Sequence, residues 1–387
     1  MMHFTTGNQI KLLRNGTEYF PALEDAIANA QHEIYLQTYI YQTDSVGIRI
    51  GNALKLAALR GVVVNVLLDG FGCKDLSKVF IDGLQKCGVQ VMFYRSKISP
   101  WTLQRRRLRR MHRKVATVDG NTGFVGGINI IDDNDVPNNI APRIDYAVRL
   151  EGPILNVIVE SVHKLWRHMA WLKLQQVNVS ATQPKLELTH KVTNTGLRAA
   201  FVIRDNVLHR RDIEKAYMAA ITQAKTEIII ANAYFVPGRK FRKALLAAAL
   251  RGVAVKLLLQ GRKEYFLMFA THAFYSEFLS CGIEIYEYRK SFMHSKVAVV
   301  DSHWATVGSS NIDPFSLLLA NEANVVVEDT QFATELKSDI ETSIKGAYEI
   351  TSQEWEHSST FKHFISWIAY GVVRVFLGVV GNRNDRS

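Results

Sequence analysis

Stretches with helical spacing of apolar residues alternate with short apolar runs along the chain, and the alternation is written twice. FPALEDAIANAQHEIYLQTYIY, Phe20 to Tyr41, reads as an amphipathic helix followed by a strand, and IEKAYMAAITQAKTEIIIANAYF, Ile213 to Phe235, repeats it. LKLAALRGVVVNVLL, Leu54 to Leu68, is answered by LLAAALRGVAVKLLL, Leu245 to Leu259; each predicts a helix closed at Arg-Gly and then a β-branched strand. LQKCGVQVMFY, Leu84 to Tyr94, pairs with FLSCGIEIYEY, Phe278 to Tyr288, and MHRKVATVD, Met111 to Asp119, pairs with MHSKVAVVD, Met293 to Asp301. Strands alternating with helices predict an α/β fold whose sheets are covered by helices on both faces. The repeat divides the chain into lobes at roughly 1–180 and 195–360, joined by the polar stretch Asn178 to Pro184, with a tail over 361–387.

The 387 residues carry 47 Lys and Arg against 36 Asp and Glu, a net charge of +11 that favours a polyanion or an anionic membrane surface as partner. Cys73, Cys87 and Cys281 form no close-spaced metal pair and suit reduced thiols in a cytoplasmic protein. Met1 to Lys11 has no apolar run, so neither a signal peptide nor a membrane entry helix is expected there. FISWIAYGVVRVFLGVV, Phe364 to Val380, is about a turn short of the roughly 20 residues a spanning helix needs and contains Arg374. It predicts an interfacial helix with Trp367 near the headgroups; docking on the protein's own core is the alternative.

Each half ends in one constellation: His112, Lys114, Asp119, Gly126 and Asn129, then His294, Lys296, Asp301, Gly308 and Asn311 at identical spacing. A single His-x-Lys-x-x-x-x-Asp arises by chance in roughly a few per cent of chains this long. Two in register with a duplication do not. Val115 to Val118 and Val297 to Val300 read as strands, so each His and Lys, two apart, share a face. Gly126-Gly127 and Gly308-Ser309 follow, where small residues would let a ligand approach the backbone.

These residue types suit phosphodiester transfer. The anionic phosphoryl group repels nucleophiles until donors neutralise it. Lys114, Lys296, Asn129, Asn311 and Ser309 can supply those donors. One histidine can attack phosphorus while the other protonates the leaving alkoxide and then deprotonates the acceptor. Each imidazole needs an orienting acceptor: Glu322, 28 residues beyond His294, is expected to serve that histidine, and Asp145 to serve the first half. Asp119 and Asp301, grouped with the catalytic set by the motif, are expected to brace their lobes through salt bridges or backbone hydrogen bonds. No metal or cofactor is expected, and no glycine-rich nucleotide motif is present.

HRKVATVD and HSKVAVVD, with GGIN and GSSN behind them, resemble the phospholipase D superfamily. The openings FTTGNQIKLLRNG and EIYLQTYIYQTDSVG are similar to bacterial cardiolipin synthases in a short form without N-terminal membrane helices. The resemblance implies duplicated α/β/α sandwich lobes about a pseudo-twofold axis, with both histidines in one cleft. It also implies His112 as nucleophile and His294 as acid/base, an assignment the repeat alone leaves open. One departure from symmetry is Gly127 where the second half has Ser309.

The chemistry alone does not name a substrate. SPWTLQRRRLRRM, Ser99 to Met111, with Trp101, Arg105, Arg106 and Arg107, suits an anionic bilayer surface; a nucleic-acid patch is the alternative. HKLWRHMAWLKL, His163 to Leu174, is either interfacial or core. The expectation is therefore a cardiolipin synthase at the cytoplasmic face of a bacterial inner membrane, peripheral or monotopic. It would use phosphatidylglycerol as donor and acceptor, with no nucleic acid partner. Hydrolysis, by a phospholipase or nuclease, and a non-catalytic membrane scaffold are the rivals.

Overall fold

The computed structural model describes residues 2–95, 109–135, 142–172, 196–262 and 266–357, together with Ser366, Ile368 and Gly371. Trp101, Arg105, Arg106, Arg107, Trp367, the 178–184 stretch and most of the tail lie outside the described residues.

The first half supplies β1 (Thr5–Arg14), β2 (Glu33–Thr38), β3 (Val63–Asp69), β4 (Gln90–Tyr94), β5 (Lys114–Val118), β6 (Thr122–Gly126) and β7 (Tyr146–Glu151). The second supplies β8 (Leu197–Arg204), β9 (Glu227–Asn232), β10 (Ala254–Gln260), β11 (Glu284–Tyr288), β12 (Lys296–Val300), β13 (Trp304–Gly308), β14 (Glu322–Glu328) and β15 (Tyr348–Ile350). They form one sheet in the order β15-β11-β10-β9-β12-β13-β14-β8-β1-β7-β6-β5-β2-β3-β4. Outward from the β1–β8 junction the two sides run through equivalent strands as far as β4 and β11, with β15 added beyond β11, so the duplication seen in the sequence is a duplication of topology. β2, β3 and β4 pair in parallel, as do β9, β10 and β11, through helical crossovers; β5 and β12 join them antiparallel.

Local chemistry accounts for the element ends. Asp44 caps the helix Ser45–Leu59 by accepting from the Gly47 N–H at 2.8 Å, and Gly61, at φ 94°, closes it with its N–H on the Ala58 carbonyl.

Three cores result. Outer helices such as Asn15–Asn29 and Ser45–Leu59 cover the first half's sheet, and Asp212–Gln223 and Arg239–Leu250 cover the second's. The third core is shared, drawing Val115, Val125 and Val148 from one half and Val297, Val307 and Val325 from the other. The helices Ile154–Leu172 and Thr330–Lys345 pack into it. Trp166 is buried there while Trp171 is exposed, so Trp166 belongs to the core rather than to an interface with lipid. Among the described residues, no helix is long and apolar enough to cross a membrane.

Candidate active site

β5 and β12 begin at the motif lysines, so each histidine stands just before its strand, at the ends where β2, β3, β9 and β10 finish. Two short parallel bridges then stitch each motif to the opposite half. Met111 pairs with Asn321 and Ile144 with Met293. The His112 and Arg113 N–H groups donate to the Asn321 carbonyl, both at 2.9 Å, and the His294 N–H donates to the Ile144 carbonyl at 2.7 Å.

Because Asn321 precedes Glu322 and Ile144 precedes Asp145, each bridge delivers a carboxylate to the other half's imidazole. His112 Nδ1 lies 3.0 Å from Glu322 Oε1, and His294 Nδ1 lies 2.7 Å from Asp145 Oδ2. This corrects the expected pairing within each half: the partners are crossed. A carboxylate at Nδ1 holds the proton there and leaves Nε2 as the ring's basic nitrogen.

The lysines turn back on their own motifs, Lys114 Nζ donating to the His112 carbonyl at 2.7 Å and Lys296 Nζ to that of His294. Lys296 Nζ is also 3.9 Å from Asp145 Oδ2. Burial, reinforced by the neighbouring Lys296 charge, lowers Lys114 to about 7; burial, partly offset by Asp145 and Glu322, lowers Lys296 to about 8. Burial pushes Asp145 up to about 6 against the pull of Lys296. Both imidazoles are depressed by burial; for His112 the Glu322 charge opposes this, whereas for His294 the charges of Lys296, Lys114, Arg143 and His112 add to it. Groups of the two motifs therefore feel one another directly. They share one cleft.

The remaining expected residues divide. Asn129 Oδ1 accepts from the Ile40 N–H at 3.1 Å, leaving its amide hydrogens as donors, and Asn311 Oδ1 is buried with no hydrogen-bond partner among the described residues. Ser309, expected as a phosphate ligand, donates its hydroxyl to Glu322 Oε2 at 2.5 Å and so braces the carboxylate behind His112. Gly127, its counterpart, leaves the room that Asp145 fills: a Cβ there would stand 2.2 Å from Asp145 Oδ1. The glycines at the ends of β6 and β13 are also spoken for by protein. A Cβ at Gly126 would meet Ala147 Cα at 2.5 Å, and one at Gly308 the Asn324 side chain at 2.2 Å, so no ligand needs that space.

Asp119 and Asp301 stand away from the histidines. Each sits at the far end of its motif strand, about 16 Å along five residues. Asp119 accepts from the N–H groups of Gln31, His32 and Glu33 at 2.7–2.8 Å, and Asp301 from those of Lys225, Thr226 and Glu227 at 2.8–3.0 Å. They tie the motif strand to the turn before its neighbour by backbone hydrogen bonds.

Two aromatic supports went unread. The Tyr39 ring meets His112 edge-on at 4.7 Å and lies 5.3 Å from Lys114 Nζ, whereas Phe292 stacks on His294 at 6.1 Å and has the Arg143 guanidinium over its ring at 5.3 Å. Arg110 occupies the first-half position equivalent to Phe292, so the repeat carried no signal for either ring. Among the described residues, no group of three or more His, Cys, Asp or Glu side chains could hold a metal ion.

A duplicated α/β frame closing two His–Lys clusters on one cleft defines a two-histidine phosphodiester-transfer enzyme. The chain belongs to the phospholipase D superfamily, within the family described as "Cardiolipin synthase, PLD-like domain", which matches residues 23–139 and 217–344. It is 39% identical over 381 residues to cardiolipin synthase B of Salmonella typhimurium, covering 97% of this chain and 90% of that one. It is 37% identical over 382 residues to cardiolipin synthase B of Escherichia coli K12, with the same coverage. Among solved structures, phosphatidylserine synthase of Haemophilus influenzae superimposes with a TM-score of 0.70 at 12% identity, covering 96% of this chain and 94% of that one, a likeness of fold alone.

Proposed function

We propose that this cardiolipin synthase B-like phosphatidyltransferase joins two phosphatidylglycerol molecules. His112 Nε2 attacks the phosphorus of the donor, and His294 gives a proton to the departing glycerol. The phosphatidyl-histidine is then attacked by a hydroxyl of the second phosphatidylglycerol, whose proton returns to His294. The phosphorus–histidine bond breaks and cardiolipin forms. One phosphodiester is exchanged for another, so no nucleotide is consumed.

The observation that carries this reading is the crossed arrangement of two carboxylate-held imidazoles beside two buried lysines. In the free cleft desolvation works against every charge. An entering phosphodiester anion restores the favoured ammonium forms of Lys114 and Lys296 and raises both imidazoles towards the one proton the reaction must shuttle. Attachment at the cytoplasmic face of a bacterial inner membrane is part of the proposal; free thiols at Cys73, Cys87 and Cys281 fit a reducing compartment.

The test gives purified protein phosphatidylglycerol vesicles with a chelator present. Cardiolipin and free glycerol are expected, both lost in His112→Ala. Phosphatidic acid as the sole product makes water the acceptor and the enzyme a hydrolase. With a donor carrying a good leaving group, His294→Ala is expected to accumulate an adduct on His112; an adduct on His294 in His112→Ala reverses the two roles.

A further inference from the structure

The two halves differ where β1 and β8 end. In the first, β1 passes at Arg14 directly into the helix beginning at Asn15; in the second, residues 205–211 intervene before the helix beginning at Asp212. That insertion stands at the cleft, because Arg204 pairs with Glu322 in the sheet. Its base is fastened there too. Asn206 Nδ2 donates to the Leu319 carbonyl at 3.2 Å, and Arg204 Nη1 donates to the Ala320 carbonyl at 2.5 Å.

The tip of the insertion is ordered from within. Asp205 Oδ1 accepts from the N–H groups of Val207, Leu208 and His209 at 2.8–2.9 Å. This collar turns Val207 and Leu208 outward, where they are 69% and 73% exposed. Single exposed apolar residues need no explanation, but two adjacent ones held rigid by three hydrogen bonds at the mouth of a reaction cleft are a different case.

The loop after β3 repeats the device on the other side of the Met111–Asn321 bridge. Asp69 Oδ1 accepts from the Phe71 and Gly72 N–H groups at 2.9 and 3.1 Å, while its Oδ2 accepts from the Met111 N–H at 2.8 Å. Phe71 is 45% exposed, with the Arg110 guanidinium 5.2 Å and Lys74 Nζ 5.8 Å from its ring. Two carboxylate-collared loops thus raise apolar side chains beside His112, and each carries an exposed cation: Lys74 beside Phe71, and Arg210 two residues along the chain from Leu208. Apolar tips among cations match a bilayer of anionic phospholipid, the tips entering the acyl boundary and the cations meeting phosphate.

We propose that Val207, Leu208 and Phe71 form the surface by which this enzyme seats its cleft on an anionic phospholipid bilayer. The inference rests on the lipid-transfer reading, since a lipid donor must leave the bilayer through the same mouth. Removing two apolar tips of this size weakens partition by about tenfold or more at ~25 cal/mol per Å² of apolar surface.

The test is flotation of the full chain with vesicles of phosphatidylglycerol and phosphatidylcholine, comparing wild type with Val207→Ser/Leu208→Ser and with Phe71→Ser. Circular dichroism melting confirms that each variant is folded. At least a tenfold loss of vesicle binding in the double variant supports the proposal. Flotation equal to wild type overturns it, and so does a change in sedimentation without vesicles, which would make the tips a contact between copies. Transfer from monomeric short-chain phosphatidylglycerol by wild type reports the chemistry separately, so its failure strikes the catalytic reading and leaves the binding result standing.

Discussion

Gly127 and Ser309 occupy matching positions and do opposite things, and the difference is one of length. Glu322 reaches His112 with room left for a serine hydroxyl to brace it; the shorter Asp145 reaches His294 by lying where that serine would be. Gly127→Ser is therefore expected to displace Asp145 and lower kcat by roughly 10- to 100-fold while the protein remains folded. Steady-state kinetics alongside a melting curve check this; unchanged kcat would show that Asp145 tolerates the crowding. Ser309→Gly removes only a brace, and its loss is expected to be smaller. Lys114, Lys296 and Asp145 are expected to set the pH response of kcat/KM. The ammonium charges proposed to receive the phosphoryl group are present below, and lost above, about 7 for Lys114 and about 8 for Lys296. On the acid side Asp145 loses its charge as pH falls through about 6, and with it the hold on His294. The profile measured in mixed micelles is expected to fall on both sides of a maximum between those values; a plateau reaching pH 10 contradicts it.

The elements themselves were readable because their signals are local. Helix periods, Arg-Gly stops and β-branched runs lie within stretches of about twenty residues, and having each twice removed ambiguity. Unreadable features were those in which an element's end meets something remote. No pattern in LANEANVVVED distinguishes a carboxylate serving His294 from one serving His112; the Met111–Asn321 bridge decides, 210 residues apart. Nor does the run DNVLHRR announce a loop that raises Val207 and Leu208, since the same letters suit a buried turn. Asp119 and Asp301 fall between: their type suggested bracing, but only the strand length shows how far they stand from the cleft. Asp119→Ala is expected to cost about 1–3 kcal/mol of stability by stranding the N–H groups of Gln31, His32 and Glu33. Denaturant titration measures that cost, and turnover per folded molecule should stay near wild type; a collapse of turnover without loss of stability returns Asp119 to the catalytic set.

Over the whole molecule, the halves are joined twice, by the shared core and by the exchanged carboxylates. The exchange predicts which substitutions act at which histidine. Glu322 raises the His112 pKa, so Glu322→Gln is expected to lower it further while leaving His294 nearly unmoved; Asp145→Asn is expected to disturb His294 instead. NMR titration of labelled histidines reads both. Movement of His294 in Glu322→Gln, with His112 still, would sink the crossed assignment.

Crossing also works as an interlock. Glu322, which orients the His112 imidazole, is synthesised 210 residues after it, and the shared core needs both halves. A first half alone lacks both the carboxylate for His112 and the partner face of the shared core, and is expected to be inactive. By the same geometry, a single ancestral lobe could have become competent only by embracing a copy of itself across a twofold axis, with the later fusion making that embrace permanent.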